Sequence, residues 1–139
     1  MSRFERVLAD YRTLGLSAEG HPMEFVRGAL RSRGVLSAEE VRKCSAGTEV
    51  AVAGLAITRQ RPGTAKGIMF ITLEDETGLA NFVVMPDVQA RYRDALMAHV
   101  PILRGIVESE SGVVNVLVKN ASVLQLGDRT PAVRSRNFR

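Results

Sequence analysis

From Thr48 onward the spacing of apolar residues changes from helical to alternating. Residues 48–126 then present five strand-like segments, with one helical segment between the third and the fourth. Val50 to Arg61 is β-rich, with Gly54 read as a bulge or bend. Arg61-Pro62-Gly63-Thr64-Ala65-Lys66-Gly67 is a loop by its proline and glycines. Ile68 to Glu74 alternates, Asp75-Glu76-Thr77-Gly78 turns, and Leu79 to Met85 returns until Pro86 stops it. Residues 87–98 have helical spacing, with Val88, Tyr92, Ala95 and Leu96 facing inward. Val100 to Val107, a turn at Glu108 to Gly112, and a long, bent Val113 to Leu126 complete the series.

A helix between strands three and four of five is the arrangement of the OB-fold, a small Greek-key barrel; an SH3-like barrel lacks that helix. Expected barrel core residues are Val50, Val52, Met69, Ile71, Leu73, Ala80, Phe82, Val84, Ile102, Val116 and Val118. Residues 1–47 read as a helical connector with three pieces. Residues 2–14 carry a capping-box pair, Ser2 and Glu5, and an apolar stripe of Phe4, Val7, Leu8, Tyr11 and Leu14. Residues 22–33 start at Pro22, stop at Gly34 and bury Phe25, Val26, Ala29 and Leu30, leaving Arg27 and Arg31 on a solvated face. Residues 38–44 follow a second capping box, Ser37 with Glu40. Residues 127–139 form a basic tail, expected to be disordered in isolation. The predicted fold class is therefore mainly β: a five-stranded barrel, residues 48–126, with an α-helical N-terminal extension. A barrel this small is marginal alone, and the extension adds apolar area.

Composition narrows the function classes. The 139 residues are 45% hydrophobic and 24% charged, the balance of a folded domain. No apolar run approaches the roughly 20 residues of a membrane helix. The N-terminus lacks the apolar stretch of a secretory signal, and Cys44 has no disulfide partner, so a cytoplasmic location is expected. His21, His99 and Cys44 are too few for a tetrahedral zinc set. Glu74-Asp75-Glu76 reads as a solvated hairpin turn rather than a cation site. Gly63 to Lys66 lacks the spacing of a phosphate loop. No catalytic constellation emerges, so neither enzymatic activity nor a cofactor is expected. The formal net charge of +4 divides unevenly: +2 over residues 1–47, −1 over 48–126 and +3 over 127–139. Any nucleic-acid site on the barrel must therefore be local.

Such barrels hold single strands on the face of strands two and three, combining stacking aromatics with cations along the backbone path. With Met69, Ile71 and Leu73 inward, Phe70 and Thr72 point outward; with Ala80, Phe82 and Val84 inward, Asn81 and Val83 point outward. Arg59 and Arg61 end the first strand on a common face, and Lys66 closes the loop. Arg59, Arg61, Lys66, Phe70, Thr72 and Asn81 are thus the candidate nucleic-acid-binding residues. Five Phe, two Tyr and no Trp cannot build a wide stacking platform, so weak binding with little base readout is expected. A protein-interaction module is the alternative, since the barrel segment is slightly acidic and the tail offers a docking peptide.

The segment Val52-Ala53-Gly54-Leu55, Arg59-Gln60-Arg61-Pro62-Gly63-Thr64-Ala65-Lys66-Gly67 and Phe70-Ile71-Thr72-Leu73-Glu74-Asp75-Glu76-Thr77-Gly78 closely resembles the C-terminal OB region of bacterial C-family DNA polymerases, in particular their error-prone, damage-induced type. Asp10 to Ser17 with His21-Pro22 resembles the connector before that region, and Arg134 to Arg139 resembles the family's extreme C-terminus. The resemblance implies a part in translesion DNA synthesis during DNA repair and replication. It implies as partners a catalytic-type subunit, that is, the remaining polymerase domains, and damage-response accessory proteins; single-stranded DNA is the partner expected of the strand face itself. Such polymerases also carry a PHP domain, a palm with catalytic carboxylates, fingers and a tandem helix-hairpin-helix region. This chain looks like the last piece, so the resemblance does not imply that it polymerises DNA.

Overall fold

The computed structural model describes residues 8–9 and 20–124. The expectations for Tyr11 and for the tail at 127–139 lie outside the described residues.

Among the described residues, six strands form one sheet in the order β1-β5-β6-β4-β3-β2. They are β1 (Glu49–Ala53), β2 (Leu55–Gln60), β3 (Met69–Asp75), β4 (Gly78–Val84), β5 (Pro101–Glu110) and β6 (Val113–Val123). The count exceeds the expected five because the first strand breaks at Gly54. β1 pairs antiparallel with β5, and β2 pairs antiparallel with β3. A Cβ on Gly54 would stand 2.8 Å from the Glu74 carbonyl oxygen, so a residue without one is needed where the chain bends against β3. One stretch of chain thus supplies both ends of the sheet and curls it into the barrel. Ala56 N–H donates to His99 O at 3.0 Å, carrying the contact with the β5 side past the break. β4 and β6 form the parallel pair.

The hairpin turns follow from local chemistry. β3 and β4 pair to their ends, Asp75 opposite Gly78, leaving Glu76-Thr77 as a two-residue loop. Ser111 and Gly112, with φ of 53° and 82°, join β5 to β6 in the left-handed backbone that tight hairpins use.

Residues 22–33 are not one α-helix. Pro22–Val26 is a 3₁₀ turn, followed by α1 (Arg27–Ser32). The tighter turn advances about 120° per residue, which brings Met23, Val26, Arg27 and Leu30 to the inner side. Phe25, expected to be buried, is instead 37% exposed. α2 (Ala38–Arg42) has its capping box: Ser37 Oγ accepts from Glu40 N–H at 3.1 Å, and Glu40 Oε1 accepts from Ser37 N–H at 2.8 Å. The helix between strands is two pieces, α3 (Pro86–Arg91) and α4 (Arg93–Leu96), meeting at Tyr92. Val88, Tyr92, Ala95 and Leu96 pack on the barrel interior as their spacing required.

The described residues form two apolar cores. The barrel interior holds Phe82, Ile71, Leu73, Val52, Leu103 and Val116 with Ala38 and Val41 of α2. A second core lies on the outer side of the β1–β5 end, where Met23, Val26, Leu30 and Val35 cover Ala53, Leu55, Val100 and Ile102, with half-buried Leu8 packed against them. Ile102 is buried as expected but belongs to this outer core. In β5 the inward phase is Leu103, Gly105 and Val107, so Ile102 faces the helical extension. Gly105 fits because a Cβ there would stand 2.0 Å from the Leu117 carbonyl oxygen.

Candidate nucleic-acid interface

The outer face of β3 and β4 carries two chemically distinct rows. Phe70 is 39% exposed and stands between Gln60 on β2 and Val83 on β4. The row continues through Leu117 on β6 to Ile106 on β5. One step along, Thr72 stands between Thr58 and Asn81, and Asn81 opposes Asn115. Thr72 Oγ1 donates to Asn81 Oδ1 at 3.2 Å. An apolar row with an aromatic therefore runs beside a row of hydroxyls and amides. Leu79, Met85 and Val113, all exposed, fall on the same outward phase.

The loop after β2 sits at the Phe70 end of this face. It contains a 3₁₀ turn, Gly63–Ala65, and then Lys66 and Gly67, both left-handed, with φ of 53° and 87°. Lys66 is exposed. Arg61 Nε donates to Gln89 Oε1 at 2.9 Å, while Gln89 Nε2 donates to Gly67 O at 2.7 Å and to Val84 O at 3.0 Å. Gln89 of α3 thus fixes both the loop and the cation that leads into it.

Arg59 does not join this group. It is in register with Ile71, on the inward phase, and its Nε donates to Leu96 O at 2.7 Å. Its Nη2 donates to Ala98 O. Burial holds its guanidinium below the ordinary pKa. Arg59 closes the C-terminal end of α4, whose last carbonyls need donors. The alternation that predicted a common face for Arg59 and Arg61 is consistent with both reaching toward α3 and α4. The structure therefore gathers Phe70, Thr72 and Asn81 on one surface, sets Arg61 and Lys66 at its edge, and takes Arg59 away.

At the other end of the hairpin the acidic turn is not solvated. Asp75 is 4% exposed and Arg27 is 8% exposed. Arg27 Nη2 donates to Asp75 Oδ2 at 3.1 Å, and Arg27 Nε donates to Glu76 Oε2 at 2.7 Å. Asp75 Oδ2 also accepts from Ala38 N–H at 2.7 Å, and Oδ1 accepts from Thr77 N–H at 2.8 Å. His21 Nε2 lies 3.2 Å from Glu74 Oε1 while Nδ1 accepts from Met23 N–H. Burial alone would lower the Arg27 pKa, but the hydrogen bond to Glu76 and the charges of Glu76 and Asp75 outweigh it and raise it. The turn's carboxylates hold the helical extension. Sequence reasoning missed this lock, although Arg27 shares the buried stripe of Met23, Val26 and Leu30. Among the described residues, no group of three or more His, Cys, Asp or Glu side chains is placed to hold a metal ion.

The architecture is that of an OB-fold barrel. It superposes with a TM-score of 0.55 on asparaginyl-tRNA synthetase from Pyrococcus horikoshii, at 24% identity over 74% of this chain and 27% of that one. It superposes with a TM-score of 0.53 on OBody AM1L10, solved bound to hen egg-white lysozyme, at 20% identity over 68% of this chain and 94% of that one. No protein-family model matches. In sequence the chain is similar to a short region of error-prone DNA polymerases. It is 47% identical over 138 residues to that of Anaeromyxobacter sp. (strain K), covering 99% of this chain and 12% of the relative. It is 45% identical over 120 residues to that of Caulobacter vibrioides, covering 86% of this chain and 11% of the relative. It is 42% identical over 127 residues to that of Bradyrhizobium sp. (strain ORS 278), covering 91% and 11%. The chain thus spans about an eighth of the length of these relatives, consistent with the C-terminal region that its motifs resemble.

Proposed function

We propose that the chain is a single-stranded-DNA-holding barrel that serves an error-prone DNA polymerase in translesion synthesis and does not itself polymerise DNA. The observation that carries this reading is Phe70. It stands exposed on the outer face, beside the Thr72–Asn81 pair, with Arg61 and Lys66 at the end of its strand. An aromatic beside hydroxyls and amides, with cations at the margin, suits a strand whose bases stack and whose phosphates pass the loop. The test is fluorescence polarisation of a short oligothymidylate. Phe70→Ala should weaken binding about tenfold, since one stacked base contributes roughly 1–3 kcal/mol. Unchanged binding by a folded Phe70→Ala variant overturns the reading. The remaining polymerase domains and damage-response accessory proteins are the partners this reading implies.

A second reading has its own observation. Leu79, Met85 and Val113 are aliphatic, 47%, 38% and 53% exposed, and share the outward phase with Phe70. Aliphatic side chains do not stack bases well but do form the centre of protein contacts. On this reading the face docks a polymerase subunit, and Leu79→Asp should abolish that association without affecting oligonucleotide binding.

A further inference from the structure

A second groove, on the outer surface of β1 and β5 beside the helical extension, carries chemistry that the Phe70 face lacks. It encloses about 460 Å³ and is lined in part by Gly34, Ala51, Gly105 and Ile106. Arg104 and Lys119 also line it, with Glu49. Arg104 is half-buried, and its Nη1 donates to the neutral Ser122 hydroxyl at 3.1 Å. Lys119 is exposed and has no register partner, because β6 bulges where Arg104 faces Asn120 and Gly105 faces Val118. Among the described residues neither Arg104 nor Lys119 forms a salt bridge with a carboxylate.

Two cations on one groove wall, neither in an ion pair among the described residues, favour an anion placed between them. Among the described residues the lining offers no aromatic side chain on which a base could stack. Gly34, where a Cβ would meet nothing within 4 Å, and the short Ala51 side chain leave room for a ligand backbone to approach the sheet. The groove is also continuous with the Phe70 face. Phe70 opposes Val83, Val83 opposes Leu117, Leu117 opposes Ile106, and Ile106 lines the groove. Three strand-to-strand steps put the groove about 14 Å from Phe70.

We infer that this groove is a phosphate-binding site whose ligand is the sugar–phosphate backbone of a single strand that also crosses the Phe70 face. The identity of the ligand rests on the proposed function; the existence of the anion site does not. Two probes separate them: inorganic tripolyphosphate, which has no bases, and a dodecamer of thymidylate. Side-chain NMR should show a saturable shift of the Arg104 Nε–H resonance with tripolyphosphate, reduced in Lys119→Glu. With the dodecamer, Arg104→Gln and Lys119→Glu should each weaken binding about three- to tenfold. Arg104→Gln should lower the salt slope by roughly 0.7, the value for one phosphate contact on a single strand. Phe70→Ala should weaken the dodecamer and leave the slope and the tripolyphosphate response as they are. Lys119 is exposed, so Lys119→Glu reads the site even if Arg104→Gln unfolds. No response at Arg104 to either probe overturns the site. Dodecamer binding weakened by Phe70→Ala but untouched by both groove variants overturns it while the proposed function stands. A tripolyphosphate response without any dodecamer binding sinks the proposed function and the assignment of the ligand together.

Discussion

Arg27 on α1 and Asp75 at the tip of the β3–β4 hairpin, 48 residues apart in the chain, meet at 3.1 Å in a site where both are buried. The same Asp75 carboxylate receives the N–H of Ala38 and the N–H and hydroxyl of Thr77. One side chain thus pairs a helix, caps a second helix and shapes a turn. Removing one partner of a buried pair leaves the other charge uncompensated, which costs about 3–5 kcal/mol. Asp75→Ala should lower unfolding stability by that order in urea titrations. A loss under about 1 kcal/mol, the scale of an exposed pair, would show that the lock contributes little.

Acid should loosen the same junction. Burial pushes the Glu76 carboxyl up, but the Arg27 hydrogen bond and charge outweigh it and hold it below 4.5. Glu40 is held below 4.5 by the Ser37 N–H. A depressed folded-state pKa means stability that is present above the unfolded value and lost as pH falls through the folded one. Stability should therefore decline below about pH 4.5. Glu76→Gln should be less stable than the native chain at neutral pH and converge with it in acid. A difference that stays constant across the pH series contradicts this.

Phe82 and Phe70 lie on opposite phases of one hairpin, 1% and 39% exposed. Phe82→Ala should cost about 3–5 kcal/mol of stability, as deletion of a buried ring does. Phe70→Ala should cost under about 1 kcal/mol, as surface changes do. Thermal melts of the two variants decide it, and equal losses would mean that the hairpin's phase is wrong.

Arg59 and Arg61 should part company in the same way. Arg59→Ala removes donors from the Leu96 and Ala98 carbonyls and should cost about 1–3 kcal/mol, with no change in the salt dependence of oligonucleotide binding. Arg61→Ala should leave stability nearly unchanged and lower the salt slope. A salt-slope change in Arg59→Ala would return that side chain to the interface.

Methyl groups at two glycines test the barrel itself. Gly54→Ala places a Cβ 2.8 Å from the Glu74 oxygen, and Gly105→Ala places one 2.0 Å from the Leu117 oxygen. Both obstacles are backbone and cannot swing away. Gly54→Ala should cost on the order of 1–3 kcal/mol, and Gly105→Ala more, read by chemical denaturation. Native stability in Gly105→Ala would mean that β5 and β6 can separate there without penalty.

Alternation and turn chemistry made most of the barrel legible. Met69, Ile71, Leu73, Phe82 and Val84 are inward because the strands around them keep strict period two, and the Ser37–Glu40 box is a local signal. Ile102 went to the wrong core because Ile102-Leu103 offers two apolar residues in succession, and only the pairing with β1 and β6 sets the phase. Phe25 was misplaced because a 3₁₀ turn and an α-helix start with the same residues. Phe70, Thr72 and Asn81 share a face by periodicity alone. The removal of Arg59 was not legible, because its carbonyl partners belong to a helix end 37 residues away. The Arg27–Asp75 pair was hidden for the same reason: a buried arginine and a surface arginine look alike until their long-range partners are known.

Ala53, Leu55, Val100 and Ile102 are barrel residues whose apolar sides face out, kept dry by Met23, Val26, Leu30 and Val35, which lie over them. A minimal barrel cut free at residue 48 would present that patch to water beside an Asp75 stripped of its arginine. It would self-associate through the bared strip, burying in a second copy what the intact chain buries in its own helices. A dimer observed in such a truncation would therefore measure the cut and not the protein.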